Sequence, residues 1–438
     1  MKDLIAKNIS LLKRRGFVFQ SSEIYGGFGS CYDFGPLGVE MKNNIKREWW
    51  KEMTRYHDNI VGLDSAILMN PKVWESSGHL SAGFTDELVE CKKCHKRFKA
   101  DELNKNCPDC GGELTDPKKF NLMMKTFVGS LENETTQTYL RPETCQGIYV
   151  NFKNVLDSMR LKVPFGIAQI GKAFRNEITP KNFIYRTREF EQMEMQWFCH
   201  PKEADKFFDY WKEERMKWYL KLGIKKNNLR FKEVPKKELA HYARKAVDIE
   251  YCFPFGWHEI EGIHNRGDWD LSNHSKYSGQ DLTYFDDQKF FPYVIETSAG
   301  ADRLFFSFIL DAFQEVEGGR TETTKSTKEK EVLLKIAKEL APVKIAVLPL
   351  VKNNDQLVEK AKEVFNLLKP FFVCQYDQTG SIGRRYRRQD EEGTVWCLTC
   401  DFQTLEDNTL TIRERDTMKQ ERKDISEIKS FLREKLDV

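Results

Sequence analysis

The sequence predicts an α+β protein that ends in a separate α/β unit, and three observations carry that expectation. The chain has 438 residues, enough at roughly 150 per domain for two or three domains with buried cores. In its longer N-terminal part, two strand-like segments, Phe165 to Ala173 and Phe190 to Phe198, flank a polar, basic loop through Asn182, among long amphipathic helices. Beyond residue 330 the pattern turns into an alternation of helix and strand over about 100 residues, as expected of a compact domain with a largely central sheet.

The elements follow in chain order. Residues 2–15 place Leu4, Ile5, Ile9, Leu11 and Leu12 at helical spacing until Gly16 ends the pattern. Gly26, Gly27, Gly29, Gly35, Pro36 and Gly38 then read as a loop crossing a site. From Val39 a long helix carries Met41, Ile45, Trp49 and Met53 at every fourth position, a stripe that needs a core or another subunit to cover it. Asn59 to Met69 reads as strand, stopped by Pro71. A Lys-, Asp- and Cys-rich module spans Cys91 to Cys110. Pro201 to Leu222 is a second amphipathic helix, with Gly223 as its stop. Strand and loop over 248–263 precede a strand at 293–297, which runs into a helix near Ala299. Glu317 to Lys330, rich in Thr and Lys, cannot pack a core and reads as a linker or a frayed helix start, the best domain boundary. After it come helix 331–340, strand 343–348, helix 355–368, strands 371–376, 394–402 and 409–413, and a last helix to Lys435.

Composition excludes several classes. Hydrophobic residues at 40% and charged residues at 31% describe a folded globular chain rather than a disordered or fibrous one. A net charge of +3 means that any nucleic-acid surface must be a local basic patch. No run approaches membrane-spanning length and the start shows no cleavable leader, so a cytoplasmic protein without a membrane partner is expected. Eleven cysteines, an odd number, fit reduced thiols and a metal better than a disulfide framework.

Cys91, Cys94, Cys107 and Cys110 form two CxxC pairs, the second as CPDCGG, a spacing that brings four thiolates onto two tight turns. That set points to structural zinc. Cys397 and Cys400 share the CxxC spacing inside a strand, where the pleat sends them to opposite faces. Arg175 ends one strand and Phe190 begins its partner, so guanidinium and ring face one pocket, an arrangement suited to a nucleotide. Arg303 follows Gly300, Ala301 and Asp302 at a strand-to-helix junction, where helix amides and an arginine converge on an anion. Glu143, Glu189, Glu191, Glu194, Glu259, Glu261 and Glu296 sit in strand-like segments beside apolar residues and need cationic partners, a metal or an ammonium group. About half should pair with Arg186, Arg188 and Arg266, because few buried charges go unpaired. His79, His258, His264 and His274 lack metal-ligand spacing, so structural roles are expected. The absence of GxxxxGK[ST], GxGxxG and GxSxG argues against P-loop ATPases, Rossmann dehydrogenases and α/β-hydrolases. Arg384, Arg385, Arg387 and Arg388 around Tyr386 read as a basic, aromatic loop, either an RNA contact or a solvated charge run.

FRNE at 174–177, REFEQMEMQWF at 188–198 and SAGADR at 298–303 resemble motifs two and three of class II aminoacyl-tRNA synthetases. RGFVFQSSEIYGG from Arg15, YDFGPLGVEMKNNI from Tyr32, LDSAILMNP from Leu63, RPETCQGI from Arg141, EIEGIHNRGDWDL from Glu259 and GSIGRRYRRQDE from Gly380 are similar to the dimeric glycyl-tRNA synthetase family in particular. The resemblance implies a class II catalytic domain over 1–325, an antiparallel sheet with flanking helices. It would carry a zinc-ribbon-like insertion at 88–116 and a helical insertion at 200–247, and an α/β anticodon-binding domain would follow at 331–438. It implies activation of glycine by ATP and transfer to the 3′ end of the cognate tRNA, with Mg2+ and structural Zn2+, in a homodimer formed through Val39 to Pro71. By the same resemblance Arg175, Glu177 and Arg303 would be catalytic, and Arg175, Asn176, Glu177, Arg186, Phe190, Glu259, Ile260 and Arg303 would bind ATP. Glu143, Glu194, Glu296 and Ser298 would surround glycine, Cys91, Cys94, Cys107 and Cys110 would hold zinc, and Arg384, Arg385, Arg387 and Arg388 would meet tRNA. A non-catalytic RNA-binding paralogue and a relative activating another amino acid are the alternatives.

Overall fold

The computed structural model describes residues 2–81, 84–100, 103, 106–133, 135–178, 182–317 and 330–436. Nearly all of the linker expected at 317–330 lies outside them. The larger part is organised on a seven-stranded sheet in the order Leu229–Glu233, Lys245–Phe253, Gly256–Gly267, Tyr293–Gly300, Glu189–Cys199, Phe165–Phe174 and Ile60–Gly62. Every neighbouring pair is antiparallel except the last. The strand expected over 59–69 shrinks to Ile60–Gly62, whose close packing depends on a glycine: a Cβ at Gly62 would lie 2.4 Å from the Trp50 ring.

Alternation along the strands sorts side chains onto two faces. On Glu189–Cys199 the odd residues Met193, Met195 and Trp197 join the main core with helices Pro36–Arg55, Ala204–Lys221 and Ala301–Ala312. Met41, Ile45, Trp49 and Met53 are fully buried in this single chain. The stripe is therefore covered by the chain's own core, not by another subunit, which corrects one ground for the expected dimer contact. The even residues face the other way. Phe198 packs with Phe152, Phe165, Ile148 and Leu271 in a smaller cluster, while Gln192 and Glu194 line a cavity.

One local irregularity decides what faces that cavity. Between Lys245–Phe253 and Gly256–Gly267 the register slips, with Ile249 opposite Glu261 but Glu250 opposite Glu259, so Ile260 is an extra residue in a β-bulge. The bulge sends Glu259, Gly262 and His264 to the cavity and Glu261 to the helical side. There Glu261 is fully buried and accepts from Arg215 Nε at 2.7 Å and Tyr219 Oη at 2.5 Å.

The C-terminal unit is a five-stranded sheet in the order Cys374–Tyr376, Ile345–Pro349, Trp396–Cys400, Thr409–Glu414 and Gln420–Asp424, parallel over the first three and antiparallel beyond. Helices Asp355–Leu368, Ile382–Glu392 and Ile425–Leu436 accompany it. Cys397 and Cys400 join different apolar clusters, as the pleat requires. Two expectations are corrected here. Residues 331–334 are strand, not helix: paired to Phe313–Val316, they bury Leu333 and Leu334, and that burial outweighs the helix propensity of EVLLKIAKEL. The basic stretch after GSIG is the helix Ile382–Glu392, not a loop.

Candidate active site

Arg175, Glu177, Arg186, Phe190, Glu259 and Arg303 line one cavity together with Glu143, Glu194, Glu296 and Ser298. Two expected residues stay outside it. Asn176 lies off the cavity wall, its backbone N–H donating to Leu122 at 2.9 Å. Ile260, the bulged residue, is 1% exposed and packs its side chain in the core, which leaves its backbone for the expected contact with a nucleotide.

One end of the cavity is cationic and aromatic. Arg175 donates through Nε to the Pro142 carbonyl at 3.0 Å, and its guanidinium lies 5.5 Å from the centroids of both Phe84 and Phe190. Arg303, in the first turn of Ala301–Ala312, donates to Tyr185 O and to Glu259 Oε2, each at 3.2 Å, above the Tyr185 ring. Burial would raise the Glu259 carboxyl, yet Arg303, His264 and Arg175 hold it below its ordinary value. Arg186 approaches Glu177 at 3.8 Å.

The other end is acidic and closed. Glu194 accepts from Thr144 N at 3.1 Å and Ser298 Oγ at 2.7 Å, and also from Thr144 Oγ1. Burial, together with Glu296 and Glu143, pushes its carboxyl up to about 7. Glu296 accepts from Gln196 Nε2 at 2.9 Å and Arg266 Nη1 at 3.1 Å, with His264 Nδ1 3.1 Å away. Burial opposes its ionisation, but Arg266 and His264 hold it down at about 2. Glu143 lies 3.3 Å from His79 Nε2 and accepts from Cys145 Sγ and Gln146 Nε2, each at 3.0 Å. Arg266 is locked in a fork to Asp270 at 2.7 and 3.0 Å and stacks on Tyr242. With Asp270, four carboxylates thus share one buried guanidinium and the rings of His79 and His264, an acidic surplus suited to a small cation.

Sequence reasoning missed several contributors, Asp248, Tyr185 and Gln192 on the cavity wall among them, and three more are instructive. His264 was expected to be merely structural but lines the cavity, and its single signal is the strand alternation once the bulge is known. His79 reaches Glu143 from a distant segment. Tyr242 arrives from an irregular stretch with no motif. Most glutamates do pair, though largely with other cations than expected: Glu191 with Lys42 and Lys46, Glu189 with Lys172, Glu261 with Arg215.

The cysteine module is a three-stranded sheet of Arg97–Lys99, Thr85–Glu90 and Lys118–Asn121. The Sγ atoms of Cys91, Cys94, Cys107 and Cys110 all lie within 4.8 Å of one another, with Cys91–Cys110 at 3.4 Å and Cys94–Cys107 at 3.7 Å. A tetrahedron of thiolates about 2.3 Å from zinc has edges of about 3.8 Å, so the set fits. A Cβ at Gly112 would stand 3.0 Å from the Cys91 sulfur, so the turn is cut to leave the cluster room.

In the C-terminal unit Arg384 is exposed. Arg385 is 1% exposed and donates to the Gly380 carbonyl at 2.8 Å and to Pro349 O. Its expected RNA contact is corrected: the guanidinium is spent on interior carbonyls. Arg387 pairs with Glu331 at 2.7 Å and Arg388 with Asp377 at 2.5 Å.

Comparison with known proteins agrees with this geometry. Residues 127–313 match the family described as "tRNA synthetase class II core domain (G, H, P, S and T)", and residues 344–435 match "Anticodon binding domain". A "Glycine--tRNA ligase" of Treponema denticola is 55% identical over 95% of this chain and 93% of its own length. One from Borreliella burgdorferi strain B31 is 53% identical over 97% and 96%, and one from Streptomyces coelicolor 49% over 99% of each. With a class II core, an anticodon-binding domain and this likeness over nearly its full length, the chain belongs to the glycine–tRNA ligase family.

Proposed function

We propose that this enzyme activates glycine with ATP to glycyl-adenylate and transfers the glycyl group to the 3′ end of its cognate tRNA. The observation that carries the reading is the two-ended cavity, with Arg175, Phe190 and Arg303 at one end and Glu143, Glu194 and Glu296 at the other. The glycine carboxylate attacks the α-phosphate, pyrophosphate leaves, and a terminal ribose hydroxyl of tRNA then takes the glycyl group. Little covalent chemistry falls to the chain, whose part is in-line positioning and neutralisation of phosphate charge. Phe190 and Arg303 hold adenine, Arg175 grips the α-phosphate, and Glu177, Arg186 and Glu259 fix ATP. The three glutamates take the ammonium, beside Ser298. Mg2+ supplies further neutralisation of phosphate oxygens when bound, and Asp248 and Glu259, both on the cavity wall, would hold it. Glycine-dependent pyrophosphate exchange, run against a panel of amino acids, tests the reading: response to glycine alone is expected. A response to a larger amino acid, or to none, would instead favour one of the two alternatives.

We read residues 1–325 as the catalytic domain, with insertions at 88–116 and 200–247, and 331–438 as the anticodon-binding domain. A homodimer would form on the exposed side of the 39–71 segment, where Val39, Tyr56 and Leu68 face outward. A cytoplasmic place of action accords with eleven cysteines outside any disulfide. Among the described residues no helix is long and apolar enough to cross a membrane.

The four-cysteine cluster holds one structural zinc per chain in this reading. Cys107→Ser is expected to lose the metal and unfold the module, read by metal analysis of purified protein; unchanged zinc content would refute the assignment.

For tRNA, Arg384 is the exposed guanidinium of its helix, beside the paired Arg387 and Arg388. Arg384→Ala should weaken tRNA binding, lower its salt slope by about 1 and leave pyrophosphate exchange intact. Arg385→Ala should instead cost about 1–3 kcal/mol of stability by orphaning buried carbonyls. Binding titrated against salt, with thermal melts, separates the two.

A further inference from the structure

We propose that Lys42 is a positioning residue for the ATP end of the cavity: from behind the sheet its ammonium ties together the two segments that present Phe190 and Arg303. The inference deepens the functional reading above and rests on it. Lys42 lies on the inner side of Pro36–Arg55 and is 5% exposed. Its Nζ stands 2.7 Å from Asp302 Oδ1, 2.8 Å from Glu191 Oε2 and 4.1 Å from the Phe34 ring centroid. Asp302 Oδ2 in turn accepts the Glu191 backbone N–H at 2.9 Å. Strand, helix and ammonium thus close a ring of charge-assisted bonds.

The sequence neighbours of those two carboxylates are what matter. Glu191 follows Phe190 on Glu189–Cys199, and the pleat turns Phe190 to the cavity and Glu191 to the helical side. Asp302 precedes Arg303 in the first turn of Ala301–Ala312. Whatever fixes Glu191 against Asp302 therefore fixes the spacing of the ring and the guanidinium that hold adenine. Lys42 itself does not line the cavity. Without it Asp302 would lose its ammonium partner while still facing Glu191, whose one remaining cation, Lys46, sits on the far oxygen, and the segments would be driven apart. Lys46 is the natural control: it reaches Glu191 Oε1 at 2.9 Å and makes no bond to Asp302.

The test is pyrophosphate exchange titrated separately in ATP and in glycine. Lys42→Met is expected to lose about a hundredfold in kcat/KM for ATP, the cost of misplacing a reacting group by about 1 Å, with the KM for glycine unchanged. Lys42→Arg should restore part of the loss, and Lys46→Met should stay near wild type. Equal loss toward both substrates, or the same loss in Lys46→Met, would overturn the proposal. Phe190→Ala and Arg303→Gln, run alongside, keep the two claims apart. If they leave the KM for ATP unchanged, the reading of the cavity fails; if they raise it while Lys42→Met does not, the positioning role alone fails. Should Lys42→Met not fold, Lys42→Gln, also off the cavity wall, keeps a polar side chain at the same place while removing the charge. It must show the same ATP-selective loss for the proposal to stand.

Discussion

Arg175→Gln is expected to lower the turnover of glycine-dependent pyrophosphate exchange by about 10²- to 10³-fold, the usual cost of removing one preorganised donor to developing charge. The reason lies in how the side chain is held. Its Nε is spent on the Pro142 carbonyl and its plane rests against Phe84 and Phe190, so the guanidinium is fixed before substrate arrives. Among the described residues the two terminal nitrogens make no hydrogen bond, which leaves them for the α-phosphate. Arg175→Lys should recover little, because an ammonium supplies charge without the fork. Stability should fall by about 1.5–3 kcal/mol at most, since the one charge-assisted hydrogen bond to Pro142 is lost. Single-turnover exchange and thermal melts on the same preparations check both halves. A Gln variant that keeps more than about a tenth of the turnover would remove Arg175 from the phosphate site.

How much of this was legible in the sequence depends on whether a residue's partners are local. The four-cysteine cluster was readable because its members lie within twenty positions and the spacing itself encodes two turns. Arg175 and Phe190 were placed on one pocket by strand ends alone, and the register bears that out, with Phe190 opposite Ala173. Arg385 looked the same as Arg384, because the carbonyl of Pro349 that buries it is 36 residues away. Residues 331–334 read as helix because their partner strand begins where a helix was expected to continue. Glu259 and Glu261 looked equivalent at a two-residue spacing, and a one-residue bulge gave them opposite faces and unrelated partners. No residue type announces a bulge. The convergence of Glu143, Glu194 and Glu296 came from the family resemblance, since carboxylates 51 to 153 residues apart share no periodicity.

That convergence yields a pH-dependent expectation. Glycine offers no side chain, so recognition rests on its ammonium and carboxylate and on the lack of room beside its Cα. Before glycine binds, Glu194 titrates at about 7, raised by burial, Glu296 and Glu143. It attracts an ammonium only as the anion. Below pH 7 glycine must therefore displace a proton from Glu194, and its apparent affinity should fall by up to about tenfold per pH unit. Above pH 7 the anion already predominates and the affinity should level off. Glu296→Gln keeps an oxygen to accept from Arg266 and Gln196 but removes one charge from the site. The variant should bind glycine about ten- to a hundredfold more weakly, the loss of a charge-assisted bond of roughly 1.5 to 3 kcal/mol. It should also move the midpoint of the pH dependence downward, because Glu296 is one of the charges that hold Glu194 up. ATP binding should scarcely respond. Exchange titrated in glycine between pH 6 and 8, for wild type and variant, reads both effects, and a glycine KM flat across that range in wild type would remove Glu194 from the ammonium site.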